Sequence, residues 1–197
     1  HLLPVPADRV LVAEDGLEID LAGRKLIFID TPGHANHHGC IWDERSQGFF
    51  TGDTFGIAYK EFHNERGDML FAPTTPVAFD PEAWLASIDR LMSFQPQRMY
   101  LTHYGCLENP AALAEDLRQS VRDLAALALA EAAGPAEGRL DRLRAAVGDH
   151  LVRRVRRHGC DLPEGRVREL LALDTDLNAQ GLDVWLTRRQ KASPASH

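Results

Sequence analysis

Cysteine is scarce in this 197-residue chain: it has three, Cys40, Cys106 and Cys160, and no C-x-x-C pair. An odd number of widely spaced thiols excludes a disulfide scaffold and points to a reducing, cytoplasmic setting. Positive charge is also in short supply. With 22 Lys and Arg against 29 Asp and Glu, the formal net charge is -7. Nucleic acid is a poor partner for such a chain, because phosphate binding needs a basic field. The one basic run, Arg153, Arg154, Arg156 and Arg157, falls in a helical pattern and reads as a solvated face. No apolar run approaches the ~20 residues of a membrane span. The opening HLLPVPADRV has no signal-peptide pattern, and no internal repeat is found. What is present is an ordinary globular composition, 44% hydrophobic and 26% charged, sized for one domain or a domain with an appendage.

Residues 10 to 56 read as β structure. VLVAEDG and LEIDLAG are short runs broken at Asp15-Gly16 and Ala22-Gly23, which suit hairpin turns. KLIFID (25–30) is a continuous apolar strand and is expected to be buried on both faces. CIWDE and GFFTGD form a hairpin about Ser46-Gln47-Gly48. Residues 57 to 80 have no clear period and read as a long functional loop, in which Tyr59, Phe62, His63 and Phe71 could line a substrate pocket. Asp80-Pro81 opens a helix reaching about Phe94, with Trp84, Leu85, Ile88, Leu91 and Met92 on its core side. RMYLTH (98–103) is one more strand. From Asn109-Pro110 onward four helical patterns follow, and the tail KASPASH is expected to be disordered. The chain therefore divides into an α/β part, 1–107, and a helical region, 108–197.

Three segments share one plan: a β run ending in a metal-ligating side chain beside glycine. IFIDTPGH ends at His34, GFFTGD at Asp53 and MYLTHYG at His103. Ends of neighbouring strands gather at one edge of a sheet, where α/β sites are commonly built. Imidazole with carboxylate suits zinc, iron or manganese. Each residue taken alone has a plainer reading, as a turn or hydrogen-bonded residue. The three together, each at a strand end, point to a metal centre.

T-P-G-H after a strand, F-T-G-D about twenty residues on, and L-T-H-x-G after a further helix and strand resemble the second half of the metallo-β-lactamase fold hydrolases. The resemblance covers roughly residues 1 to 107. It implies the C-terminal half of an αβ/βα four-layer sandwich, followed here by the helical region. The carboxylate in F-T-G-D makes the chain similar to the glyoxalase II-like and lactonase-like branch, since the antibiotic-degrading branch usually has cysteine there. Carried over, His34 ligates a first metal, Asp53 bridges two, and His103 ligates the second. The resemblance implies two divalent ions, zinc first, with iron or manganese as alternatives. A metal-bridging hydroxide would then attack an ester, thioester or lactone carbonyl. His38 is assigned beside the site or toward substrate, and His37 has no counterpart role. Asp30, Thr51 and Thr102 are near enough to orient ligands. Tyr104 is a candidate for hydrogen-bonding substrate. Cys40 and Cys106 are expected to be structural.

The H-x-H-x-D-H motif of the family's first half is absent. The expectation is therefore a longer protein, with about a hundred further N-terminal residues forming the other half. A lone second half would leave an apolar sheet face, KLIFID and GFFTGD, in water. The partners implied are a small-molecule substrate, the N-terminal half and a second copy in a homodimer, with no nucleic acid and no membrane. Asn178-Ala179-Gln180-Gly181 either packs back on the site or forms that dimer surface. The competing readings are a mononuclear iron persulfide dioxygenase of the same fold and a non-catalytic assembly member.

Overall fold

The computed structural model describes residues 3–74, 78–103 and 105–192. Six strands form one sheet in chain order: β1 (Glu18–Asp20), β2 (Lys25–Asp30), β3 (Gly39–Asp43), β4 (Gly48–Phe50), β5 (Arg98–Leu101) and β6 (Gly105–Glu108). All neighbours are antiparallel except β4 and β5, which run parallel. A parallel pair needs a crossover, and the segment between them supplies one in α1 (Pro81–Ser93). The sheet is followed by α2 (Pro110–Glu131), α3 (Arg139–His158), α4 (Glu164–Leu170) and α5 (Ala172–Ala192).

The start of α1 is set by local chemistry. Asp80 accepts hydrogen bonds from the amides of Glu82 and Ala83, both at 3.1 Å, and Pro81 occupies the first turn, where no N–H is needed. Trp84, Ile88 and Leu91 recur at helical spacing and are fully buried. They cover one face of the sheet, the face of Cys40, Trp42, Phe49, Met99 and Leu107, which the strand register places side by side. A single hydrophobic core runs from Ile29 to Leu186 and includes residues from α2, α3 and α5.

The other sheet face is different. The register lines up Phe28, Ile41, Phe50, Tyr100 and Cys106 across β2 to β6. Phe50 is 44% exposed, and Phe28, Ile41 and Tyr100 are only half-buried. KLIFID is therefore covered on one face, not both: among the described residues, helices lie on one side only. The apolar sheet face expected from the sequence is present.

Other expectations need correcting. VLVAEDG forms no strand: Val10, Leu11 and Val12 are exposed, and sheet pairing begins only where Gly16 donates to the Phe28 carbonyl. Strand β6 (Gly105–Glu108) was not expected from the sequence. Its four residues carry two glycine and cysteine positions and too short an alternation to reveal a strand. Two of the four side chains expected to line a pocket in the 57–80 loop do not. Phe62 and Phe71 are fully buried core residues, drawn in because Ile57 and Phe71 pair their backbones. Arg154 is not solvated either. It is buried, and its Nη2 donates to the Leu70 carbonyl and to Asp116 Oδ2, both at 2.9 Å. Among the described residues, no helix is long and apolar enough to cross a membrane.

His150 on α3 gives the fold a pH signature. Burial pushes its pKa down to about 4; Arg153, Arg154 and Arg157 push the same way and Asp123 opposes them. An unfolded imidazole titrates near 6.5, so on acidification the unfolded state takes up the proton first. The contribution of neutral His150 is thus complete above about pH 6.5 and is lost progressively toward pH 4. His150→Gln should flatten the fall in urea midpoint between about pH 7 and pH 5. An unchanged slope would show that His150 is not held neutral.

Candidate metal centre

Two tight turns and one strand end bring the ligand candidates together. After β2 the chain turns at Pro32-Gly33. Gly33 has φ +126°, and a Cβ there would lie 2.3 Å from both Cα and N of Trp84. Its carbonyl accepts from the amide of Asp80, 2.8 Å away. His34 is thereby seated against the start of α1, with its ring edge-on to Trp84 at 5.5 Å. Trp84 also donates from Nε1 to the Thr54 carbonyl at 2.7 Å. One buried indole thus braces both the His34 turn and the Asp53 turn.

The Asp53 turn follows β4, where the Thr51 amide donates to the Tyr100 carbonyl. Gly52 has φ +50°, and a Cβ would come within 2.4 Å of the His38 ring. His38 accepts from the Asp53 amide at Nε2 (3.1 Å) and meets the Thr54 hydroxyl at Nδ1 (2.9 Å). Since Nε2 accepts, the ring proton sits on Nδ1 and is donated to Thr54. Burial lowers the His38 pKa, which keeps this neutral tautomer. His38 therefore shapes the Asp53 turn.

The central geometry is a carboxylate between two imidazoles. Asp53 Oδ2 lies 3.5 Å from Nε2 of His34, and Oδ1 lies 3.4 Å from Nε2 of His103. His34 Nδ1 lies 2.7 Å from the Pro73 carbonyl. A carbonyl can only accept, so Nδ1 carries the proton. Burial, the largest influence on His34, lowers its pKa, so Nε2 turns a lone pair toward a carboxylate oxygen. Two lone-pair groups facing each other attract only through a cation between them. Moreover, Asp53 Oδ1 is buried without a hydrogen-bond partner among the described residues, a costly state for a charged group. Zinc bonds of about 2.1 Å at a tetrahedral angle separate two ligand atoms by about 3.4 Å, the spacing seen on both sides of Asp53. The residues fit two divalent ions sharing one carboxylate. Among the described residues no three His, Cys, Asp or Glu gather tightly enough to enclose one ion. Two ions here would each meet two of these side chains.

The other expected site residues fall as follows. His38 joins the centre. Asp30 does not orient His34: its amide and carbonyl bond to Asp15 and Arg90, and the Pro73 carbonyl holds the ring instead. Thr51 Oγ1 bonds backbone carbonyls of its own turn and β5, and Thr102 is exposed. Tyr59 donates to Asp174 on α5 at 2.8 Å. His63 pairs with Asp68 on the exposed outer part of its loop. His37 is exposed, and Tyr104 lies outside the described residues. The Cys40 thiol is pushed up to about 11 by burial, which makes it a poor nucleophile. Sequence reasoning missed Pro73 and Thr54, took Trp84 as a core residue alone, and left Asn178 between the site and a dimer surface. The first acts through a backbone carbonyl, which leaves no mark in the sequence.

Comparison with known proteins gives the family. Residues 2–103 match the model of the metallo-beta-lactamase superfamily, and the chain belongs to that superfamily. It is 31% identical over 112 residues to the metallo-beta-lactamase fold-containing protein ST1585 of Sulfurisphaera tokodaii, a match covering 57% of this chain and 39% of that protein. The crystal structure of the archaeal superfamily protein ST1585 from Sulfolobus tokodaii superposes with a TM-score of 0.56 at 23% identity, over 92% of this chain and 54% of the other. A Thermus thermophilus family protein gives 0.42 at 21% identity, over 91% and 48%. The chain thus spans about half the length, or less, of the relatives it matches.

Proposed function

We propose that this chain carries one side of a dinuclear metal centre in a hydrolase acting on an ester, thioester or lactone. The observation that supports this is the Asp53 carboxylate, with one imidazole at each oxygen and one oxygen without a hydrogen bond among the described residues. His34 and Asp53 would hold one ion, and Asp53 and His103 the other. A catalytic zinc usually has three protein ligands, so each ion needs side chains beyond these. We assign them to further chain packed over the open sheet face of Phe28, Ile41 and Phe50. When bound, such ions lower the pKa of water to roughly 7 and polarise a carbonyl. The protein's own part is to fix the ligands. Pro73 sets the His34 tautomer, His38 holds the Asp53 amide, and buried Trp84 keeps the two turns in register. Zinc is the first choice for this mixed imidazole and carboxylate set, with iron or manganese next.

The test is elemental analysis of the purified intact protein with a panel of ester, thioester and lactone substrates. Two divalent ions per molecule and hydrolysis without oxygen uptake are expected. A single iron with oxygen consumed on a persulfide would replace this reading with a dioxygenase. A metal-free protein inert to the panel would leave an assembly role.

A further inference from the structure

The C-terminal helix α5 reaches back to the metal centre through two buried polar side chains one turn apart. Asp174 accepts from the Tyr59 hydroxyl at 2.8 Å. Asn178, 1% exposed, accepts the Thr74 amide at Oδ1 (2.6 Å), and its own carbonyl accepts the Thr74 hydroxyl at 3.1 Å. Residues i and i+4 lie on one face of a helix, so both ties leave α5 in the same direction. They hold the 57–74 segment near its two ends. Between them, Tyr59 stacks on Phe71 with ring centroids 5.8 Å apart. Thr74 directly follows Pro73, whose carbonyl takes Nδ1 of His34.

From this chain of contacts we infer that Asn178 is a positioning residue for His34: it fixes Thr74, and thereby the Pro73 carbonyl that keeps His34 Nε2 turned toward Asp53. The inference rests on the reading of His34 as a metal ligand, but the contact chain stands independently of it. Orienting partners of ligating imidazoles set tautomer and ring direction, and their loss typically costs 10–100-fold in metal affinity. Here the orienting group is a backbone carbonyl, so control passes to whatever holds that backbone. The two hydrogen bonds from Thr74 to a fully buried amide side chain and its carbonyl do this. The Asn178 segment therefore packs back onto the site and is not left for a dimer surface.

Asn178→Ala tests the assignment in the intact protein. Two readouts are needed: the side-chain nitrogen resonances of His34, and zinc affinity by competition with a chelator dye. The wild type should show one His34 tautomer, protonated at Nδ1. The variant should show mixed tautomers and roughly 10–100-fold weaker zinc binding, with His38 unchanged. Leu182→Ala, a buried apolar truncation on the same helix, is the control; it should lower stability but leave the tautomer alone. If Asn178→Ala does not fold, Thr74→Val and Thr74→Ser carry the test, since only the second retains the hydroxyl donor. Unchanged His34 resonances and affinity, or the same changes in Leu182→Ala, would overturn the assignment. A wild type that binds no zinc, yet loses its fixed tautomer in Asn178→Ala, would sink the hydrolase reading and leave the positioning role standing.

Discussion

Gly33→Ala will destabilise the protein by about 2–6 kcal/mol, summing backbone strain and overpacking of about 1–3 kcal/mol each. Two effects coincide at this position. The backbone sits at φ +126°, where an L side chain is strained. The new methyl would also stand 2.3 Å from Trp84 Cα and N, so relief requires moving a helix backbone, not rotating a side chain. Interiors are too densely packed to absorb that shift locally. Trp84 touches His34 and holds Thr54, so the displacement should also separate His34 from Asp53. Gly16→Ala and Gly23→Ala are the controls. Both have positive φ and open space around the missing Cβ, and each should cost only about 1 kcal/mol of strain. The measurement is urea unfolding of all three variants. If the three lose similar stability, the close approach to Trp84 is not what sets the Gly33 turn.

The comparison between Gly33 and its neighbours shows what the sequence discloses. T-P-G-H announces a turn and a histidine, and F-T-G-D and L-T-H-Y-G announce the other two strand ends. Candidate ligands presented by turns after strands are legible because glycine, strand and side chain are contiguous in sequence. The amphipathic helices are legible for a similar reason: Leu117, Val121, Leu124 and Ala128 of α2 are all buried as their spacing foretells. What holds the ligands is not legible. The Pro73 carbonyl is 39 residues from His34, and Asn178 is 104 residues from Thr74. Such ties depend on how helices dock, which no local period records. Strand β6 and the false strand at 10–14 failed for a related reason. Short strands are defined by the partner they find, so alternation alone misjudges them. The half-covered KLIFID strand makes the same point, since a run of apolar residues does not say which of its faces is packed.

Asp53→Ala should abolish binding of both ions, whereas His34→Ala should spare one. A single carboxylate serves both sides, Oδ2 toward His34 and Oδ1 toward His103, so its loss cannot be confined to one. If metal chemistry supplies several kcal/mol of barrier lowering, hydrolysis should fall by about three to four orders of magnitude, at 1.36 kcal/mol per decade. The metal-free protein should respond in the opposite sense. There Asp53 holds a buried oxygen without a hydrogen-bond partner among the described residues and faces the His34 lone pair. Asp53→Asn replaces one of those oxygens by an amide donor that can reach an imidazole nitrogen. The metal-free form should gain roughly 1 kcal/mol, the scale of a buried polar group finding its partner, while the metal-loaded form loses its stabilisation by bound ions. Function at this carboxylate is thus expected to be maintained against stability. Thermal unfolding with and without chelator measures both signs at once. A metal-free Asp53→Asn protein less stable than wild type would mean that the carboxylate supports the fold, and the two-ion reading of its geometry would have to be given up.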